Sequence, residues 1–367
     1  MKASIYIHIP FCKKKCDYCH FYVIPDKEDH KSLLLQGLKT EISHNLNKLE
    51  GYKIVSIYFG GGTPALFGPD RVEDILSKIP NIDSDCEITL EANPENITRE
   101  MMASYKKAGI NRISIGVQSL NEPLLKMLSR QHSAEKAMKS IEDTYAAGLE
   151  NISIDLMYDL PGQTLQAWEE TLQKACELPI SHLSLYNLTF EPHTVFYKKR
   201  ELLTKTLPPD EVSRQMYEKA IETFENGGLN QYEISAFARS GKQSRHNLGY
   251  WTGRPFLGFG PSAYSYWDEK RYRNIANLNK YCKLLEEGKG PVDFIEELEA
   301  EAKIRELLVI GIRVFSGVDL EKFTFDGETI DNIQKLVNEG FLSLEQNNLK
   351  LTPKGVLFYD SVAAQLI

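Results

Sequence analysis

Between residue 3 and about residue 235 the chain alternates short apolar runs, rich in Ile, Val and Leu, with stretches of helical character. This alternation restricts it to an α/β fold with a parallel sheet and crossover helices. Strands are expected at 4–8, 54–59, 87–91, 112–117, 151–157 and 182–188, each reading as buried on both faces. Helices are expected near 31–48, 70–78, 98–108, 133–147 and 164–177. Thr98, Ser133 and Thr164 are placed to cap three of them, and Gly109 and Gly148 to end two. Six such units fall short of the eight of a closed barrel.

Further on, 209–226 reads as a helix capped by Asp210, and the Gly- and aromatic-rich stretch 227–275 as an extended loop region. After about residue 290 the pattern changes. Helices near 296–311 and 328–339 lead to a hairpin, 341–344 with 349–351, turning at Asn347-Asn348. Thr352-Pro353 then suits the cap and first position of a last helix. This is the pattern of a small winged-helix-like α+β domain. Such domains often bind DNA, but Asp and Glu outnumber Lys and Arg over 300–367, against a phosphate-binding surface. The expected organisation is 1–235, an α/β core; 236–290, an extension; and 291–367, the C-terminal domain.

Of 367 residues, 42% are hydrophobic and 26% charged, ordinary for a globular protein, and the net charge of −8 gives no electrostatic case for nucleic acid. No run has the ~18 apolar residues of a membrane span. The short stretch ahead of Phe11 is too brief for a signal peptide and is interrupted by His8. Six cysteines without a disulfide-like framework suit a reducing cytoplasm.

Three of those cysteines follow the first strand as Cys12-Lys-Lys-Lys-Cys16-Asp-Tyr-Cys19. Three thiolates on one loop can hold three irons of a 4Fe–4S cluster and leave the fourth open. A structural zinc site wants four ligands, and no second pair of cysteines accompanies this one; Cys86, Cys176 and Cys282 are single and far apart.

The C-x3-C-x2-C spacing after a first strand, within Tyr6-Ile-His8-Ile-Pro10-Phe11-Cys12, resembles the radical S-adenosylmethionine (SAM) proteins. The branch it resembles holds the oxygen-independent coproporphyrinogen III dehydrogenases (HemN-like) and the HemW-type heme chaperones. The resemblance implies a radical SAM partial (β/α)6 barrel, a 4Fe–4S cluster held by Cys12, Cys16 and Cys19, and SAM chelating the open iron. It also assigns SAM contacts at the carboxyl ends of the strands. Gly61, Gly62 and Thr63, in Gly60-Gly-Gly-Thr-Pro64, would contact the methionyl group, the glycine backbone coming close and its N–H groups being free for a carboxylate. Glu91 would take the amino group, Arg130 the carboxylate, and Gln118 and Asp155 the ribose, with Tyr6 and Tyr18 near the cluster and adenine. The plain structural alternative is an internal ion pair, for instance Glu91 with Arg130.

Two features separate the relatives. The dehydrogenases resembled here carry a fourth cysteine, C-x3-C-x2-C-x-C, where this chain has Phe21, and an N-terminal extension ahead of the loop. Conversely, Arg245-His246-Asn247-Leu-Gly-Tyr250-Trp251 contains the H-N-x-x-Y-W string linked to heme in the chaperones. His246 could ligate heme iron, with Tyr250 and Trp251 against the macrocycle; alternatively, His246 and Asn247 hydrogen-bond the loop and the aromatic pair packs in the core. The expected function is a heme chaperone that binds heme, a 4Fe–4S cluster and SAM, and passes heme to an acceptor protein. The alternatives are radical decarboxylation of coproporphyrinogen and radical SAM methylation of heme. A flavodoxin- or ferredoxin-type electron donor and peripheral membrane contact are compatible partners.

Overall fold

The computed structural model describes residues 1–367. Its centre is one twelve-stranded sheet. Numbered in chain order, the strands are β1 Lys2–Ile9, β2 Lys53–Gly61, β3 Ile82–Ala92, β4 Arg112–Gln118, β5 Ile152–Tyr158, β6 His182–Asn187, β7 Asn230–Glu233, β8 Ala236–Ala238, β9 Phe256–Phe259, β10 Tyr264–Trp267, β11 Lys270–Asn274 and β12 Val292–Glu297. The order across the sheet is β12-β11-β10-β9-β1-β2-β3-β4-β5-β6-β8-β7. β1 to β6 lie side by side and parallel, the expected partial barrel. Helices Glu28–His44, Pro69–Leu76, Arg99–Lys107, Ala134–Ala146 and Leu165–Glu177 connect them. Thr98, Ser133 and Thr164 accept the expected cap hydrogen bonds from Met101, Lys136 and Ala167. Gly109 and Gly148 take the left-handed conformation that ends a helix. Asp210 does not cap its helix, Asp210–Asn226; Pro209 holds that position and Asp210 lies in the first turn.

The region 227–275 is not a loop. It holds β7 to β11 and a helix, Arg245–Trp251. β9 adds a further parallel strand beside β1, β10 to β12 extend that edge antiparallel, and β7 and β8 extend the other. These strands are only three to five residues long, so each lacks the run that marks a strand in sequence.

The central strands are also not uniformly apolar. Successive side chains point to opposite faces. Ala3, Ile5, Ile7 and Ile9 of β1 join the fully buried outer core beneath the helices. The inner face carries Ser4, Tyr6 and His8, in register with Ser56, Tyr58 and Gly60 of β2. Glu87, Thr89 and Glu91 of β3 follow, then Arg112, Ser114 and Gly116 of β4, Ser153 and Asp155 of β5, and His182 and Ser184 of β6. The barrel lumen is therefore polar from floor to mouth.

Beyond the sheet, Ala300–Gly311, Gly327–Asn338, a three-stranded sheet and two short helices enclose a separate core that includes Leu308, Ile312, Leu336 and Leu349. The hairpin pairs Leu342–Glu345 with Asn348–Leu351 and turns at Gln346-Asn347, one residue earlier than expected, both in the left-handed conformation that two-residue turns require.

Candidate functional site

The carboxyl ends of β1 to β6 surround an open cleft enclosing about 1290 Å³, its solvent-filled mouth included. Cys12, Cys16, Cys19, Tyr18, Gly61, Gly62, Glu91, Gln118, Arg130 and Asp155 all line it. Residues scattered over more than 140 positions of sequence thus meet in one place because most end a parallel strand or follow it directly, while Asp155 points in from within β5 and Arg130 from beyond the helix Glu122–Met127. The three thiols share the cleft without converging on a position for a single metal ion. Burial pushes the Cys12 thiol up to about 11, so in the free protein it is protonated, and bound iron would have to hold it as thiolate.

The glycine run after β2 is explained by close approach. A side chain on Gly61, which has a positive φ, would strike the His8 imidazole, and one on Gly62 would lie 2.7 Å from the Phe11 carbonyl oxygen. Contrary to the expectation from sequence, the N–H groups of Gly61, Gly62 and Thr63 are not free for a ligand carboxylate. Gly61 N–H donates to Glu91 Oε2 at 3.1 Å, while Gly62 and Thr63 donate to the Ile9 and Phe11 carbonyls. They clamp the glycine loop to the cysteine loop instead.

Glu91 and Arg130 do not pair. Glu91 accepts from Tyr58 Oη at 2.8 Å as well as from Gly61. Arg130 donates to Asn93 Oδ1 at 2.7 Å, to the Gly116 carbonyl and to Cys16 Sγ at 3.5 Å, while its buried Nε has no partner. A Cβ on Gly116 would crowd Asn93 Oδ1 and Gln118 Nε2, each 3.1 Å away. Gln118 closes β4 at a register shift with φ +66, a costly conformation for a non-glycine residue. Burial raises Glu91 to about 7 and Asp155 to about 6, partly offset by hydrogen bonds from Tyr58 and from Ser184. The cleft thus holds two carboxylates ready to accept a cation or hydroxyls, beside one buried guanidinium with spare donor capacity.

Two expected SAM residues stand behind the lining. Thr63 is buried and bridges Cys12 Sγ, at 3.6 Å, to Asn93 Nδ2, at 2.9 Å. Tyr6 bonds His8 Nδ1 at 3.1 Å and stacks on Tyr58.

The H-N-x-x-Y-W string lies elsewhere. Its helix, Arg245–Trp251, closes the barrel floor, at the amino ends of the strands. His246 is 1% exposed. Its Nδ1 meets Ser56 Oγ at 3.0 Å, its Nε2 meets Tyr250 Oη at 2.8 Å, and its N–H donates to Glu87 Oε1 at 3.1 Å. Both ring nitrogens are occupied, so this conformation offers none to iron. Asn247 N–H bonds the capping Ser244, and Trp251 lies under the Arg313 guanidinium at 4.6 Å. A thread of contacts joins floor to mouth: Tyr250 to His246, the His246 ring 5.0 Å from that of Tyr58, and Tyr58 to Glu91.

The Radical SAM superfamily model matches residues 6–175, and the HemN C-terminal domain model residues 298–358. "Heme chaperone HemW" of Bacillus subtilis is 34% identical, over 98% of this chain and 97% of its own length. The chain belongs to the HemW family. HemW of Lactococcus lactis is likewise 34% identical, over 96% of this chain and 94% of that one. The mitochondrial radical S-adenosyl methionine domain-containing protein 1 of Danio rerio is 30% identical over 100% and 87%. Coproporphyrinogen III oxidase (HemN) of Escherichia coli superposes with a TM-score of 0.86 over 99% of this chain and 89% of its own, at 22% identity, which shows a shared fold. Membership of the HemW family within the radical SAM superfamily carries with it a 4Fe–4S cluster and SAM, and the donor set in the cleft fits both.

Arg112 escaped the sequence reading. It is 2% exposed on the inner face of β4, its Nε without a partner, and its charge acts on Asp155, Glu91, Tyr58 and His246. The available signal was an arginine opening an otherwise apolar strand.

Proposed function

We propose that this protein binds heme and delivers it to an acceptor protein, with a 4Fe–4S cluster on Cys12, Cys16 and Cys19 and SAM in the adjoining cleft. The observation that carries this reading is identity of 34% to a HemW heme chaperone across 98% of the chain. Phe21 in the position of the dehydrogenases' fourth cysteine supports it over porphyrinogen decarboxylation.

In this reading Glu91 holds the SAM amino group, Arg130 the carboxylate through its free donor, and Gln118 and Asp155 the ribose. SAM on the open iron supplies reductive cleavage chemistry if an electron reaches the cluster. The chain's own residues orient it: Thr63 and Asn93 fix Cys12 and Arg130, and Tyr58 fixes Glu91. The heme acceptor is a protein, and a flavodoxin- or ferredoxin-type donor suits the cluster. No helix is long and apolar enough to cross a membrane.

The test is an anaerobic titration of the reconstituted protein with heme, followed by absorbance. Saturable one-to-one binding is expected; its absence, together with turnover of coproporphyrinogen, would replace the chaperone by the dehydrogenase.

A pH dependence follows for SAM. Ionised Glu91 accepts from the SAM amino group more strongly than its protonated form does, and its pKa is about 7 in the free protein. The charged or titratable groups around it are Tyr58, Asp155 and Arg112, with Tyr6, Tyr186 and Tyr250. SAM affinity is therefore expected to rise roughly tenfold between pH 6 and pH 8, as the ionised fraction does. Glu91→Gln should bind weakly and flatten that rise. A wild-type affinity independent of pH would remove Glu91 from the amino-group site.

A further inference from the structure

Resting on the heme-carrier reading above, we propose that His20, at the mouth of the cysteine cleft, is the protein's axial ligand to heme iron, and that this mouth is the heme site. Iron–histidine ligation needs an imidazole with a free nitrogen that a flat macrocycle can reach. His246 has neither a free nitrogen nor exposure, as described. His8, His132 and His182 are also buried, each hydrogen-bonded at both ring nitrogens. Of the other four, His20, His44 and His193 are exposed and His30 is half-buried, and of these His20 alone lines the cleft.

The surroundings of His20 match the remaining demands of heme. Its ring is 4.6 Å from that of Phe21, which is 53% exposed and also lines the cleft. Tyr186, 47% exposed, also lines the cleft and adds a second aromatic ring for a macrocycle. Propionates need cations, and exposed Lys14 and Lys15 line the same rim as His20. Glu191 also lines the cleft and would repel a propionate beside it, which favours the lysines as partners. Lys15 Nζ donates to the Phe21 carbonyl at 3.0 Å, which ties the cation to the segment bearing the ligand. Heme held here would sit over the cluster loop, one residue from Cys19, and would be solvent-accessible for transfer to an acceptor.

The experiment compares wild type with His20→Ala as anaerobically reconstituted proteins, titrated with ferric heme and read by Soret absorbance and electron paramagnetic resonance. Iron and sulfide are measured alongside, and the cluster-free forms of both proteins are titrated too, so lowered cluster content in the variant does not obscure the comparison. The expected result is one-to-one binding to wild type with a nitrogen-ligated spectrum. In His20→Ala that spectrum is lost, affinity falls roughly tenfold or more, and added imidazole restores the spectrum. A variant with unchanged spectrum and affinity overturns the assignment while leaving the heme-carrier reading intact. Wild type that binds no heme overturns both.

Discussion

Cys16→Ala is expected to strip the protein of its cluster, iron and sulfide falling to background and the visible absorbance with them. Three thiolates are the fewest that hold a cubane on one loop, so loss of one leaves two. Cys16 is only half-buried and its one side-chain contact is the Arg130 guanidinium, which keeps Asn93 and Gly116 as partners. The fold should therefore survive nearly unchanged, and the thermal transition of the cluster-free variant should match that of cluster-free wild type. SAM binding should weaken with the cluster, because Glu91, Arg130, Gln118 and Asp155 must then hold it without the iron. Cys176→Ala, outside the cleft, should retain iron and sulfide in full. Wild-type iron content in Cys16→Ala would show that the loop does not hold the cluster.

His246→Ala should have the reverse signature: cluster retained, stability lost. The imidazole fills the barrel floor, so its removal leaves a cavity, the Tyr250 hydroxyl without its partner, and Ser56 with Ser4 alone. Together these cost on the order of 3 kcal/mol, a fall of several degrees in Tm. The cost should also depend on pH in a set direction. Burial, with the charges of Arg254 and Arg112, lowers the folded His246 pKa from 6.5 to about 3. The unfolded chain therefore takes up a proton that folded wild type refuses. Wild type loses that stability as pH falls from 6.5 toward about 3, and the variant has none of it to lose. The gap between the two proteins is thus largest above pH 6.5 and narrows in acid, which denaturant unfolding at several pH values would reveal. Because Tyr58 touches both the His246 ring and Glu91, SAM affinity should fall modestly as well. A variant as stable as wild type would mean that the floor helix docks without this histidine.

The sequence by itself determined the features that are local. The cysteine loop, the glycine turn after β2 and the caps at Thr98, Ser133 and Thr164 each act within a few residues, so spacing encodes them. The six parallel strands were legible because hydrophobic runs and intervening helices repeat. Glu91, Gln118, Arg130 and Asp155 could be placed at one cleft because parallel strands bring their carboxyl ends together.

Tertiary structure decided whatever depends on contacts between distant segments. The alternation of Ser, Tyr, His and Glu along β1 to β6 was overlooked beneath the apolar residues between them, and only the register makes it a continuous polar lumen. The short strands in 227–275 owe their order to neighbours such as β1, not to their own propensity. Arg112 is tolerated in a buried strand because the carboxylates of Glu91 and Asp155 come from other strands. The role of His246 turned on Ser56, 190 residues away, and on Glu87, 159 away. No local pattern shows that an imidazole has both nitrogens engaged, since the partners that occupy a buried polar group are chosen by packing.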